Sequence, residues 1–194
     1  MALTQNPSAY HMIDNYDTYE PHRSNTFQVI VTGLSDLLKP GTTGQTPNDS
    51  ILDGQDVLRL SVITANIPDP TIGVMPIRRG NSVMKAAGLP TFDDGQVTFR
   101  EFEGTDAANV LYAWKQKAYD QENDSIGRMS AYKKDCYLVE YNVDKTKIIR
   151  QYLLKGCWIS SIQRAALSVE SEGPREITAV MPFDTAKMIL SDED

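Results

Sequence analysis

Apolar and polar side chains alternate along much of the chain. In residues 26–32, TFQVIVT sets Phe27, Val29 and Val31 on one side, the period of two that a half-buried strand requires. Residues 56–68, DVLRLSVITANIP, repeat the alternation with Leu58, Leu60, Val62 and Thr64 against Arg59, Ser61 and Ile63. A second strand is expected there, ended by Pro68 and Pro70, because proline cannot donate to a ladder and restricts the residue before it. GQVTFREF, 95–102, sets Val97 and Phe99 against Gln96, Thr98 and Arg100. DCYLVEYNV, 135–143, and KIIRQYLLKGCWISSIQ, 147–163, read as a hairpin around a turn at 144–146, with Gly156 a bulge or bend in its second arm. REITAVMPF, 175–183, supplies a last strand.

One segment changes period. TDAANVLYAWKQKAYDQ spaces Val110, Leu111, Trp114 and Ala118 by threes and fours. Its alanines favour helix, and Thr105 or Asp106 can cap it. Residues 71–79 and 81–86, joined by Gly80, fit helix and strand alike. The expected core is Phe27, Val29, Leu60, Phe99, Leu111, Trp114 and Trp158. Strands and hairpins around a single helix place the chain in the mainly β class.

Between these stretches the patterning fails. Pro40, Gly41, Gly44, Pro47, Asn48 and Gly54 break residues 34–56 into an inserted loop, and a loop of that length is usually functional or mobile. Residues 1–25 show neither period and carry Tyr10, Tyr16 and Tyr19 among prolines and polar residues. They read as an N-terminal arm, and aromatic rings with polar tips suit contact with a partner. ENDSIGRMS after the helix reads as a polar loop, and 191–194, SDED, as an acidic tail. Residues 26–190 are expected to form one domain.

Composition narrows the classes. The 194 residues allow one sizeable core, and the net charge of −7 disfavours gripping nucleic acid through phosphate neutralisation. No apolar run approaches the roughly 18 residues of a membrane span, and the first 25 residues are polar, so neither membrane anchoring nor a secretory signal is expected. Two cysteines, Cys136 and Cys157, exclude a disulfide-dense scaffold. Buried thiols and a disulfide across the predicted hairpin both remain open.

Candidate chemistry is sparse. Both histidines, His11 and His22, lie in the arm, and no His/Cys spacing suits zinc. No nucleophile elbow or phosphate-cradling glycine loop occurs. Asp93 and Asp94 would point to opposite faces of a strand and cannot share a proton; in Asp-Asp-Gly they read as a turn. No catalytic, cofactor or metal residues are assigned. Arg78 and Arg79 read as a solvated pair or as forks for carboxylates on another subunit.

The order of these segments resembles the tail tube proteins of contractile-tailed bacteriophages and related injection devices. The likeness spans about residues 26–189. It is carried by NTFQV, ITANIPDP, MPIRRGNSVMKAAGLPTFDDGQVTF, VLYAWKQKA, YKKDCYLVEYN, YLLKGCWISSIQ and REITAVMPFD, while the arm and the 34–56 insertion depart from it. The resemblance implies a β-sandwich or barrel-like subunit with one flanking helix, assembled as a homo-hexameric ring. Rings would stack into an inner tube within a sheath protein, between a baseplate tube initiator and a tail terminator. The tube would be assembled in the host cytoplasm, end up in the virion tail, and pass genome DNA without binding it tightly. Tyr10, Tyr16, Tyr19, Arg78, Arg79 and Lys85 become candidates for contacts between subunits. Alternatives are a baseplate tube initiator or a secretion-system tube ring; a carbohydrate-binding module, an enzyme on a β-sandwich and a nucleic-acid-binding module are further from the pattern.

Overall fold

A computed structural model describes residues 22–35, 53–66, 69–102, 107–165 and 173–190. In chain order its strands are β1 (Phe27–Val31), β2 (Val62–Ala65), β3 (Pro70–Arg79), β4 (Ser82–Phe92), β5 (Gly95–Arg100), β6 (Tyr119–Asp120), β7 (Ser125–Ile126), β8 (Lys134–Tyr141), β9 (Ile148–Cys157), β10 (Ser161–Arg164), β11 (Glu176–Met181) and β12 (Thr185–Leu190). Its helices are α1 (Gly54–Ser61), α2 (Ala107–Ala118) and α3 (Met129–Tyr132). Two four-stranded antiparallel sheets form the body, in the orders β1-β8-β9-β12 and β10-β11-β5-β2.

The alternation read from the sequence sets the inner faces. Val29, Val31, Cys136, Leu138 and Leu154 from the first sheet meet Val97, Phe99, Ile177, Ala179 and Met181 from the second. Phe27 is half-buried against this core. The expected helix is α2, which buries Val110, Leu111 and Trp114. Fully removing such side chains from water contributes roughly 1.5–3 kcal/mol each. Trp114 also donates its indole N–H to the Tyr132 carbonyl at 2.7 Å, so burial leaves no polar atom unmet. The proposed caps Thr105 and Asp106 fall outside the described residues.

Two corners join the sheets. β9 ends at Cys157, and the chain re-enters as β10 in the opposite sheet; beside it β11 ends at Met181 and returns as β12. Trp158 N–H donates to Pro182 O and Ser160 N–H to Val180 O, stitching the corners together. Gly156, at φ +73°, takes the left-handed turn this bend requires, with the Asp184 carboxylate packed against it. Lys133 holds that carboxylate at 2.7 Å. The expected second hairpin arm is therefore two strands in two sheets.

Four further expectations change. Residues 56–61 are not strand but the end of α1, which buries Val57, Leu58 and Ser61 and turns Leu60 outward at 58% exposure. The Asp53 carboxylate accepts from the Asp56 N–H at 2.9 Å, an N-cap that outweighs four residues of alternation. Leu60 is thus not a core residue. Trp158 is half-buried at the rim, its ring edge-on to Tyr132 with centroids 5.8 Å apart. One helix becomes three among the described residues, since α1 arises from the end of the inserted loop and α3 from the loop after α2. Finally, β12 continues beyond the last expected strand.

Both cysteines are free thiols in the core. Burial, and then the neighbouring Cys157 thiol, raise the Cys136 pKa well above its ordinary value.

Candidate functional site

The segment that the sequence left ambiguous, 70–92, is a two-stranded ribbon that, among the described residues, pairs only with itself. Gly80 supplies the positive φ, +63°, at the first central position of the two-residue turn, as a II′-type hairpin needs. Near the base, Gly73 faces Gly88 and Leu89 across a register shift. A Cβ on Gly88 would lie 3.0 Å from the Gly73 carbonyl, so a side chain there would press the two strands slightly apart. At about 3.4 Å per residue, ten-residue β3 is roughly 34 Å long. Phe92 ties the base to the body by meeting Phe183 edge-on at 5.7 Å.

Every residue of β3 is exposed, and so is most of β4. Cross-strand pairs Val74–Ala87, Pro76–Lys85 and Arg78–Val83 share one face; Met75–Ala86, Ile77–Met84 and Arg79–Ser82 share the other. Ile72, Val74, Met75, Ile77, Val83, Met84 and Leu89 are all largely exposed, Leu89 at 86%. Apolar exposure this concentrated marks a contact surface. Pro70, Pro76 and Pro90 can sit in the ribbon only with their nitrogens turned outward, which stops its edges from recruiting another strand. The ribbon is suited to docking through its side-chain faces.

Arg78, Arg79 and Lys85 are its only charged residues. Arg78 and Lys85 share one face, whereas Arg79 lies on the other. The two arginines therefore reach two surfaces and do not form one fork for one carboxylate. Subtracting this +3 from the chain's −7 leaves −10 on the remaining residues, so the ribbon is a cationic element on an acidic molecule. Tyr10, Tyr16 and Tyr19 lie outside the described residues.

The body presents a second kind of surface. β1 and β12 end one sheet, and β2 and β10 end the other. Unpaired backbone groups along such edges are templates for pairing with another chain. Between the β1 and β2 edges lies a cleft of about 770 Å³. Its polar walls include Arg23, Ser61, Arg100 and Glu140. Sequence reasoning missed this cleft because residues as far apart in the chain as His22 and Ile149 build it. The one available signal was the capping aspartate before α1.

With two antiparallel sheets, a packed helix and an exposed hairpin, the chain shares its fold with solved components of contractile injection systems. The chain superposes on the tube-terminating cap of the anti-feeding prophage with a TM-score of 0.61 at 15% identity, covering 88% of this chain and 92% of that one. A structure of an extracellular contractile injection system, the PVC sheath-tube complex in its extended state, gives 0.57 at 16% identity over 93% and 99%. In sequence, the chain is 28% identical over 106 residues to the tail tube protein gp19 of Enterobacteria phage T4, and equally to that of phage T6. That match covers 54% of this chain and spans 65% of the length of each relative. No protein-family profile matches the chain. The resemblance read from the order of its segments is thus met by relatives in sequence and by neighbours in fold.

Proposed function

We propose that this protein is a structural tube subunit: six copies close a ring through their sheet edges, and rings stack through the β3–β4 ribbon. The observation that carries the reading is the ribbon itself, an exposed apolar finger whose strand β3 buries no residue against the described residues of its own body. An isolated two-stranded hairpin is marginal in water, so a ribbon this long is sustained by what it touches. Tail tube relatives and the tube and cap neighbours support the assembly. The partners are the sheath outside, an initiator at the baseplate, a terminator at the far end, and genome DNA in the lumen. Assembly takes place in the host cytoplasm and the product is the virion tail.

A net charge of −7 per copy, repeated around a ring, suits a conduit whose carboxylates repel DNA phosphates. The role requires no catalysis. Strongly positive channel walls in a structure of the assembled tube would overturn the conduit reading.

Electron microscopy of the purified protein tests the assembly. Tubes of uniform width are the expected result, and a species that stays monomeric at high concentration refutes it. A second reading, a ring that caps or initiates the tube, is favoured by the superposition on a tube-terminating cap. Isolated rings that never stack would establish that reading instead.

A further inference from the structure

The two faces of the β3–β4 ribbon differ in their chemistry. One face carries Val74, Pro76, Arg78, Val83, Lys85 and Ala87, none of which contains sulphur. On the other, Ile77 stands opposite Met84, and Met75 lies two residues before Ile77 on the same strand. Between Arg79 and the register shift at Gly73, the large apolar side chains of that face are therefore one isoleucine and two methionines. Met75 and Met84 are 51% and 50% exposed.

Exposure decides which sulphur atoms a solute can oxidise. Cys136, Cys157 and Met181 are buried in the core, and burial holds Cys136 as the thiol, whereas the thiolate is the reactive form. Met129 on α3 and Met188 on β12 are exposed as well, but only on the ribbon, among the described residues, do two thioethers flank one isoleucine on a single contact face. A thioether there is a flexible apolar anchor. A sulfoxide is polar and has to lose its water before the face can pack.

We propose that Met75 and Met84 form a modification site for peroxides, and that their oxidation in the free subunit stops rings from stacking. The proposal rests on the reading of the ribbon as the stacking element and adds a redox sensitivity to it. In each step the thioether sulphur attacks one oxygen of hydrogen peroxide. An S–O bond forms as the O–O bond breaks; sulphur gives up two electrons, and the other oxygen leaves as water. Neither side chain belongs to the backbone ladder, so the hairpin keeps its register and only the chemistry of one face changes. Stacking in turn covers both thioethers, which protects the assembled tube where the free subunit is vulnerable.

The test compares the full chain with its variant Met75→Leu, Met84→Leu, which nearly conserves volume and removes both sulphur atoms. Each is treated with hydrogen peroxide below the concentration at which it assembles, checked for oxidation by peptide mass spectrometry, freed of peroxide, and followed by sedimentation and electron microscopy. Oxidation should raise the concentration that the unsubstituted chain needs for stacking by about tenfold or more, as loss of apolar anchors at an interface does. The variant should change by less than about twofold, and methionine sulfoxide reductases should restore the oxidised chain. A chain oxidised at both residues that stacks like the untreated one overturns the proposal. So does a variant that loses stacking to peroxide as fully as the unsubstituted chain. Peroxide treatment of assembled tubes separates the two readings: slower oxidation of Met75 and Met84 than in free subunits leaves the ribbon reading standing even where the proposal has failed, and equal rates overturn both. A protein that sediments as a monomer throughout also overturns both.

Discussion

The body and the β3–β4 ribbon are both antiparallel β-structure, yet opposite rules hold them. In the body β1, β5, β9 and β11 bury alternate residues against a facing sheet or helix, and Val29, Phe99, Leu111 and Trp114 are each at most 4% exposed. In the ribbon both faces carry large apolar residues, and β3 buries none of them. Local chemistry can thus specify a shape without supplying its stability. Turn, bulge and prolines fix the ribbon's form, while its apolar surface calls for a partner.

The sharpest test of the difference is Trp114→Ala. It removes the largest fully buried side chain among the described residues and the donor to Tyr132, so urea unfolding should show a loss of about 3–5 kcal/mol. A loss below about 1 kcal/mol would mean that α2 is not packed on the body. Gly156→Ala should cost about 1–3 kcal/mol through backbone strain at φ +73° and crowding of Asp184, read as a lowered melting temperature.

The ribbon should respond in the reverse sense. Ile77→Ser with Met84→Ser leaves the subunit's unfolding free energy within about 0.5 kcal/mol. The same pair should raise the concentration needed for assembly tenfold or more, as loss of buried anchors at an interface does. A fall in subunit stability with assembly intact would place the ribbon's apolar face on its own body. Arg78→Glu with Arg79→Glu should weaken stacking and lessen its salt sensitivity, measured by tube length across ionic strength. Because the two side chains lie on opposite faces, each single variant should show part of the effect. The smallest change is expected at Leu60→Ser: within about 0.5 kcal/mol in subunit stability, since the side chain is outside the core.

Much of the body was legible because burial on one face of a strand imposes a period of two, and on one face of a helix a period near four. β1, β5, β8 and α2 follow directly from those periods. Residues 56–61 were misread because a short helix and a short strand can share an apolar pattern, and the Asp53 cap lay in what looked like loop. The ribbon resisted assignment for a related reason: with no buried face, its alternation carries no inside and outside. Gly80 between two arginine- and lysine-bearing runs was the readable clue, and it points to a turn but not to where the hairpin projects. For the candidate site, the types of residue were visible while their division between faces was not. Arg78 and Arg79 are neighbours in sequence and yet separate in space.

The sequence alone was enough for the mainly β class, the helix and the resemblance to tail tube proteins, since each depends on local periodicity or on the order of segments. Only the tertiary structure decided that β9 and β11 turn corners into opposite sheets, that β1 and β12 end the same sheet, and that a cleft opens between β1 and β2. Those features arise from pairing between residues far apart in the chain, where register is set by how two faces pack and no local pattern records it.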